Sequence, residues 1–183
     1  MTLADVVKKE YLENDISLCF KTTPIFKIWV LSILSCGFYD LILVFNYWKS
    51  LKQNFGYNVS PFFRALFIGI TNFWLFSILK KYFSKFEIDM GNATGLALAY
   101  FLLCGTGNSI ARKTLALDTV NYGLEIVILL TTVLATLIIV NIQNNINKVN
   151  ENHYPNAPKN EWSTANTVWT VVLALMQILA FLP

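Results

Sequence analysis

The chain has 183 residues, of which 55% are hydrophobic and 14% charged, with a mean hydropathy of +0.51, whereas a soluble domain carries about 25% charged residues. That balance excludes an ordinary soluble globule, and three cysteines are too few for a disulfide scaffold. The net charge of +3 comes from bases beside apolar blocks, where the positive-inside rule puts them, and it gives no reason to expect a nucleic-acid partner.

The apolar residues lie in blocks of the length a bilayer demands, roughly 20 residues for a helix. The fold class they predict is all-α, a polytopic helical membrane protein with five transmembrane helices in one domain over residues 26–183. Residues 1–25 form a cytoplasmic tail: Leu3, Val6, Val7 and Tyr11 make an apolar stripe at helical spacing, the pattern of a helix lying on a membrane surface. The tail has charges and no apolar core, so the first span is expected to direct insertion.

The first span covers residues 26–47, with Trp29 near its start and Tyr47 and Trp48 at its end, where amphipathic rings sit at headgroup level. The second, residues 61–80, opens with Ser60 as N-cap and Pro61 at the first helical position, where a missing N–H costs nothing. The third, residues 94–111, has only a short unbroken apolar run before Gly105 and Gly107. A re-entrant or broken helix is the rival reading there. The fourth, residues 122–142, is the most apolar, and Ile142, Ile146 and Val149 carry its helical spacing on as an amphipathic end until Pro155. The fifth covers residues 163–182. With five spans, nine Lys and Arg fall on the N-terminal side and five on the other, which places the N-terminus in the cytoplasm and the C-terminus outside.

No catalytic signature is present. His153 is the lone histidine, there is no CxxC spacing, and Gly105-Thr-Gly107 lacks the strand and the third glycine of a dinucleotide loop. The expectation is therefore no enzyme, no cofactor and no metal. Ionisable groups within spans are costly and usually kept for a reason, which draws attention to Asp40 and Arg64. Counted back from the helix ends, the two lie close enough in depth to form a structural ion pair across the first hairpin; the functional rival is a proton or cation site at Asp40. Asn72, Asn108 and Gln177 are the candidates for a polar path, Asn46 is a further amide, and Glu125 lies only one turn inside its span. The aromatics of the second block, such as Phe62, Phe63, Phe67 and Trp74, suit lipid or packing contacts.

The stretches Gly37-Phe-Tyr-Asp-Leu41, Asn46-Tyr-Trp-Lys49 and Ser60-Pro-Phe-Phe-Arg-Ala-Leu-Phe67 resemble a family of small uncharacterised bacterial inner-membrane proteins. Its motifs run Gly-x-Tyr-Asp/Glu-Leu, Asn-Trp-Lys and Pro-Phe-Trp-Arg-Ala. The segment from Ile142 to Asn150 is similar to the part of that family before the last span. Asp40, Lys49 and Arg64 match its charged positions, and Phe63 stands where it has tryptophan. The resemblance implies a multi-pass protein of the bacterial inner membrane and no activity. The leading functional expectation is an accessory or scaffold subunit whose partners are the bilayer and other membrane proteins or itself. A small transporter or channel acting as a homo-oligomer is the first alternative, and a lipid-handling protein the second.

Overall fold

A computed structural model of the chain describes residues 19–115 and 122–180, and among them every regular element is a helix. In chain order these are α1 (Ile25–Leu34), α2 (Phe38–Asn54), α3 (Pro61–Leu66), α4 (Ile68–Ser84), α5 (Ala93–Leu115), α6 (Tyr122–His153) and α7 (Thr164–Ala180). The amphipathic stripe of the N-terminal tail lies outside the described residues. Residues 19–24 are extended, and instead of trailing from the surface they enter the core, with Phe20 fully buried and Cys19 nearly so.

Among the described residues two helices are long and apolar enough to cross a membrane: α5, whose apolar stretch has a mean hydropathy of 1.2, and the 32-residue α6, whose apolar stretch reaches 2.5. Only 17% of the apolar stretch of each is buried within the chain. The core helix of a soluble protein would be mostly covered. The third block is thus one unbroken helix, and the fourth continues past its apolar run, with Ile142, Ile146 and Val149 buried on one face. α5 packs antiparallel against both α4 and α6. Gly69 of α4 meets Phe101, and Gly107 sits so near Thr131 of α6 that a Cβ there would lie 3.0 Å from the threonine hydroxyl.

The first block departs from expectation, because residues 26–47 do not form one helix. α1 ends after ten residues in a Schellman turn: Gly37 N–H donates to Ser32 C=O at 2.7 Å and Cys36 N–H to Ile33 C=O at 3.1 Å. Both Cys36 (φ 49) and Gly37 (φ 86) are left-handed, the conformation that closes a helix C-terminus and that glycine adopts at little cost. The Ser35 hydroxyl then accepts the Tyr39 N–H at 2.9 Å, satisfying one of the orphan donors at the start of α2. The chain reverses here. Ser32 bonds Asp40, Lys21 and Tyr47 both bond Gln143, and Asn54 bonds Cys19, so α1 and α2 run antiparallel and return to the end they left. At 1.5 Å per residue α1 is about 15 Å long, half a hydrocarbon layer.

The second block is also split. At Phe67 (ψ 39) the helix breaks between α3 and α4, and the Thr71 hydroxyl gives the Arg64 carbonyl a donor while also approaching the Phe67 carbonyl, which accepts the Ile70 and Thr71 N–H groups. α7 is a single helix that packs on α1.

The base of the molecule is held by amides on one face of α6. Gln143 Nε2 donates to Lys21 C=O (3.0 Å) while its Oε1 accepts from the Tyr47 hydroxyl (2.8 Å). Asn147 bonds both N–H and C=O of Thr23 (3.2 and 2.9 Å), and Asn150 Nδ2 donates to Phe20 C=O (2.9 Å). Spaced four and three residues apart, these amides lie on one helix face and pair with main-chain groups of the extended residues 20–23, which also form a parallel bridge from Thr22 to Lys159. Asn160 N–H completes the arrangement by donating to Thr22 C=O at 2.7 Å. Phe20 fills the space beneath, edge-on to Tyr47 and Tyr82 at 6.1 and 5.1 Å.

Candidate functional site

Asp40 occupies the first turn of α2, just beyond the hairpin tip. Its carboxylate benefits there from the positive end of the helix dipole. The side chain is 2% exposed. It accepts a hydrogen bond from the fully buried Ser32 hydroxyl and a longer one, 3.5 Å, from the fully buried Thr136 hydroxyl of α6. Among the described residues no cation lies against it.

The expected partner is elsewhere. Arg64 places its guanidinium over the ring of Trp48, 4.6 Å from the centroid, and near that of Trp74, at 5.3 Å. Trp48 lies two turns down α2 from Asp40, about 12 Å along the axis. The ion pair assumed that both blocks crossed as whole helices; the hairpin and the break at Phe67 set the two residues on different levels.

Beside Asp40 is a cavity of about 360 Å3 between the hairpin tip, α4, α5 and α6. Cys36, Gly37, Tyr100, Cys104, Gly107, Asn108, Thr131 and Thr132 are among its walls. Of the polar-path candidates, Asn108 is brought to this cavity with Asp40. Asn72 is not: it is fully buried in α4, and neither atom of its amide has a hydrogen-bond partner among the described residues. The side chain of Gln177 lies outside the described residues. Asn46 is half-buried near Tyr47 and Gln143, and Glu125 is half-buried one turn into α6.

No family model, curated protein or solved structure matches this chain. The family resemblance therefore rests on its quoted residues alone, and two of these have a visible role. Gly37 makes the hairpin tip, and Asp40 is the acid beneath it. Sequence reasoning missed the roles of Ser32 and Thr136, whose hydroxyls look like ordinary helix-surface groups until the hairpin faces them toward Asp40. It also missed Cys36 and the Trp48–Arg64–Trp74 cluster.

Chemically the site is one acid, two hydroxyl donors and a neighbouring cavity. Among the described residues no three His, Cys, Asp or Glu side chains converge.

Proposed function

We propose that this chain is a non-enzymatic, multi-pass membrane protein whose working group is Asp40, holding a proton or a small cation partway into the bilayer. The observation that carries the reading is an acid 2% exposed, held by hydroxyls and set beside a cavity, with no counter-charge among the described residues. A buried carboxylate without a partner is costly, and binding a proton or cation removes that cost. A short helix ending within the membrane, with the chain turning at a glycine beside the polar group, suits such a site because backbone at that depth is tolerated only where protein or water satisfies it. The lysines at positions 21, 49, 52, 81, 85, 148 and 159 gather at the end where residues 19–24 enter, and that end is the cytoplasmic one.

The test is reaction with dicyclohexylcarbodiimide, which modifies protonated carboxyl groups in apolar surroundings. Wild-type protein in mild detergent should be labelled at Asp40, with labelling slowed by raised pH or, for a cation site, by sodium or potassium salts. Absence of any labelling at Asp40, or labelling indifferent to both pH and cations, would sink the reading.

The accessory-subunit reading has its own support. α7 leaves Val168, Trp169, Val171, Leu175 and Met176 exposed, an apolar face that another membrane protein or a second copy could cover. A stoichiometric foreign subunit in a gentle-detergent purification would favour it.

A further inference from the structure

A second recess, again of about 360 Å3, lies on the flank of the molecule below the Asp40 level, between Trp48, Tyr57, Arg64, Trp74, Ser77 and Lys81. Three observations set it apart from a packing defect. It contains two cations and no carboxylate. The Arg64 guanidinium rests over two indoles, which occupy its faces but not its N–H edge, and that edge has no acceptor among the described residues. Finally, Trp48 is fully buried and its indole N–H is also without an acceptor.

Depth decides what could supply the missing acceptor. Trp48 follows Tyr47, which bonds Gln143 at the level where α6 passes from its apolar run to its amides. That is the polar boundary on the lysine-rich side. Immediately above it, Phe62, Phe63, Leu66, Phe67 and Ile70 are each more than half exposed, an apolar strip on α3 and α4 with no protein against it among the described residues.

We infer that this recess binds the phosphate of an anionic phospholipid of the phosphatidylglycerol kind, with its acyl chains along the phenylalanine strip. The phosphodiester is held by the fork of Arg64, where planar donors match two oxygens, and by the Lys81 ammonium. A zwitterionic lipid carries its own ammonium and would set it against Lys81, so the anionic headgroup is preferred. This site rests on the proposed membrane placement of the chain but not on Asp40, and stands whether or not Asp40 binds a cation.

The experiment uses the full chain with Trp29, Trp162 and Trp169 replaced by phenylalanine, so that emission comes from Trp48 and Trp74 alone. The protein is reconstituted in phosphatidylcholine vesicles with a small fraction of lipid brominated on its acyl chains. Brominated phosphatidylglycerol should quench more strongly than the same fraction of brominated phosphatidylcholine. Arg64→Gln should weaken that preference about tenfold, as the loss of a charge-assisted contact does, with Arg64→Lys intermediate. Lys81 is exposed, so Lys81→Gln keeps the test open if the arginine variant fails to fold. Equal quenching by both lipids, or a preference that survives Arg64→Gln and Lys81→Gln, overturns the inference. Inorganic phosphate should not relieve the quenching; if it does, the recess takes a free anion and the lipid assignment fails.

Discussion

The side-chain amide of Asn54 donates to the main-chain carbonyl of Cys19 at 2.7 Å, so the last residue of α2 lies beside the segment that leads into α1. A chain that had crossed a bilayer between these residues could not bring them together. The first hairpin therefore returns to the side it came from, and Lys49 and Lys52, which five spans would put outside, join the other lysines. Arg112 and Lys113, in the last turn of α5, are left at the far end.

Topology follows directly. Reporters fused after Gly56, after Lys85 and after Asn152 should all report the cytoplasmic side, and a fusion after Leu115 the outside. A fusion after Gly56 that reports outside would mean that residues 26–47 cross after all.

Asp40 and Arg64 should behave independently. With Asp40 bonded to Ser32 and Thr136 and Arg64 over Trp48, a double-mutant cycle of Asp40→Leu and Arg64→Leu should give losses that add to within about 0.5 kcal/mol. Asp40→Asn keeps a hydrogen-bonding partner for Ser32 and should melt near wild type, whereas Asp40→Leu leaves two buried hydroxyls without an acceptor, at a cost of about 1–3 kcal/mol. Thermal melts in detergent measure all four variants, and a rescue in the double mutant would restore the ion pair.

Gln143 joins three segments through one amide. Gln143→Leu keeps the size but leaves the Tyr47 hydroxyl and the Lys21 carbonyl without their partner, so it should destabilise by about 2 kcal/mol. Asn144→Leu, one position along on the exposed side of α6, should change stability by less than about 0.5 kcal/mol. Equal effects from the two would show that the amide face does not hold residues 20–23.

The cysteines provide a chemical check on burial. Cys19 is 1% exposed, and burial pushes its thiol above the usual range. The reactive thiolate is therefore scarce at neutral pH. Cys36, at the hairpin tip, is exposed. In detergent Cys36 should take up maleimide and Cys19 should not; in vesicles Cys36 should become slow toward a charged, membrane-impermeant maleimide if the tip lies within the bilayer. Fast labelling of Cys36 from outside would put the tip in water.

The two long helices were legible because α5 and α6 are read by length and hydropathy, which depend on composition and not on partners. The amphipathic end of α6 was legible for the same reason: Ile142, Ile146 and Val149 keep a helical period. The hairpin was not. An apolar run with no proline inside gives a hydropathy window no reason to stop, and the left-handed residue that ends α1 is Cys36, a type with no particular liking for that conformation. The available clue was the small cluster Ser35-Cys36-Gly37 directly before an acid. Taking the block as a complete span then led to matching Asp40 with Arg64 by depth. The amide ladder could not be foreseen, since its partners are main-chain groups of a segment more than a hundred residues away.

The hairpin's short reach also shapes the molecule as a solid. Gly37 meets α6 at Thr132, so α6 continues for about 15 Å beyond the tip toward Tyr122, and α4 begins no higher than the cavity it lines with Ile68. In a bilayer, one half would therefore hold parts of α1, α2 and α4 besides α5, α6 and α7, and the other half less of the described protein. Under the proposed membrane placement such a body would be a wedge, displacing more lipid from the leaflet on its lysine-rich side than from the opposite one. It would concentrate where that leaflet is stretched, so its distribution between flat and tightly curved membranes is a property written into the ten residues of α1.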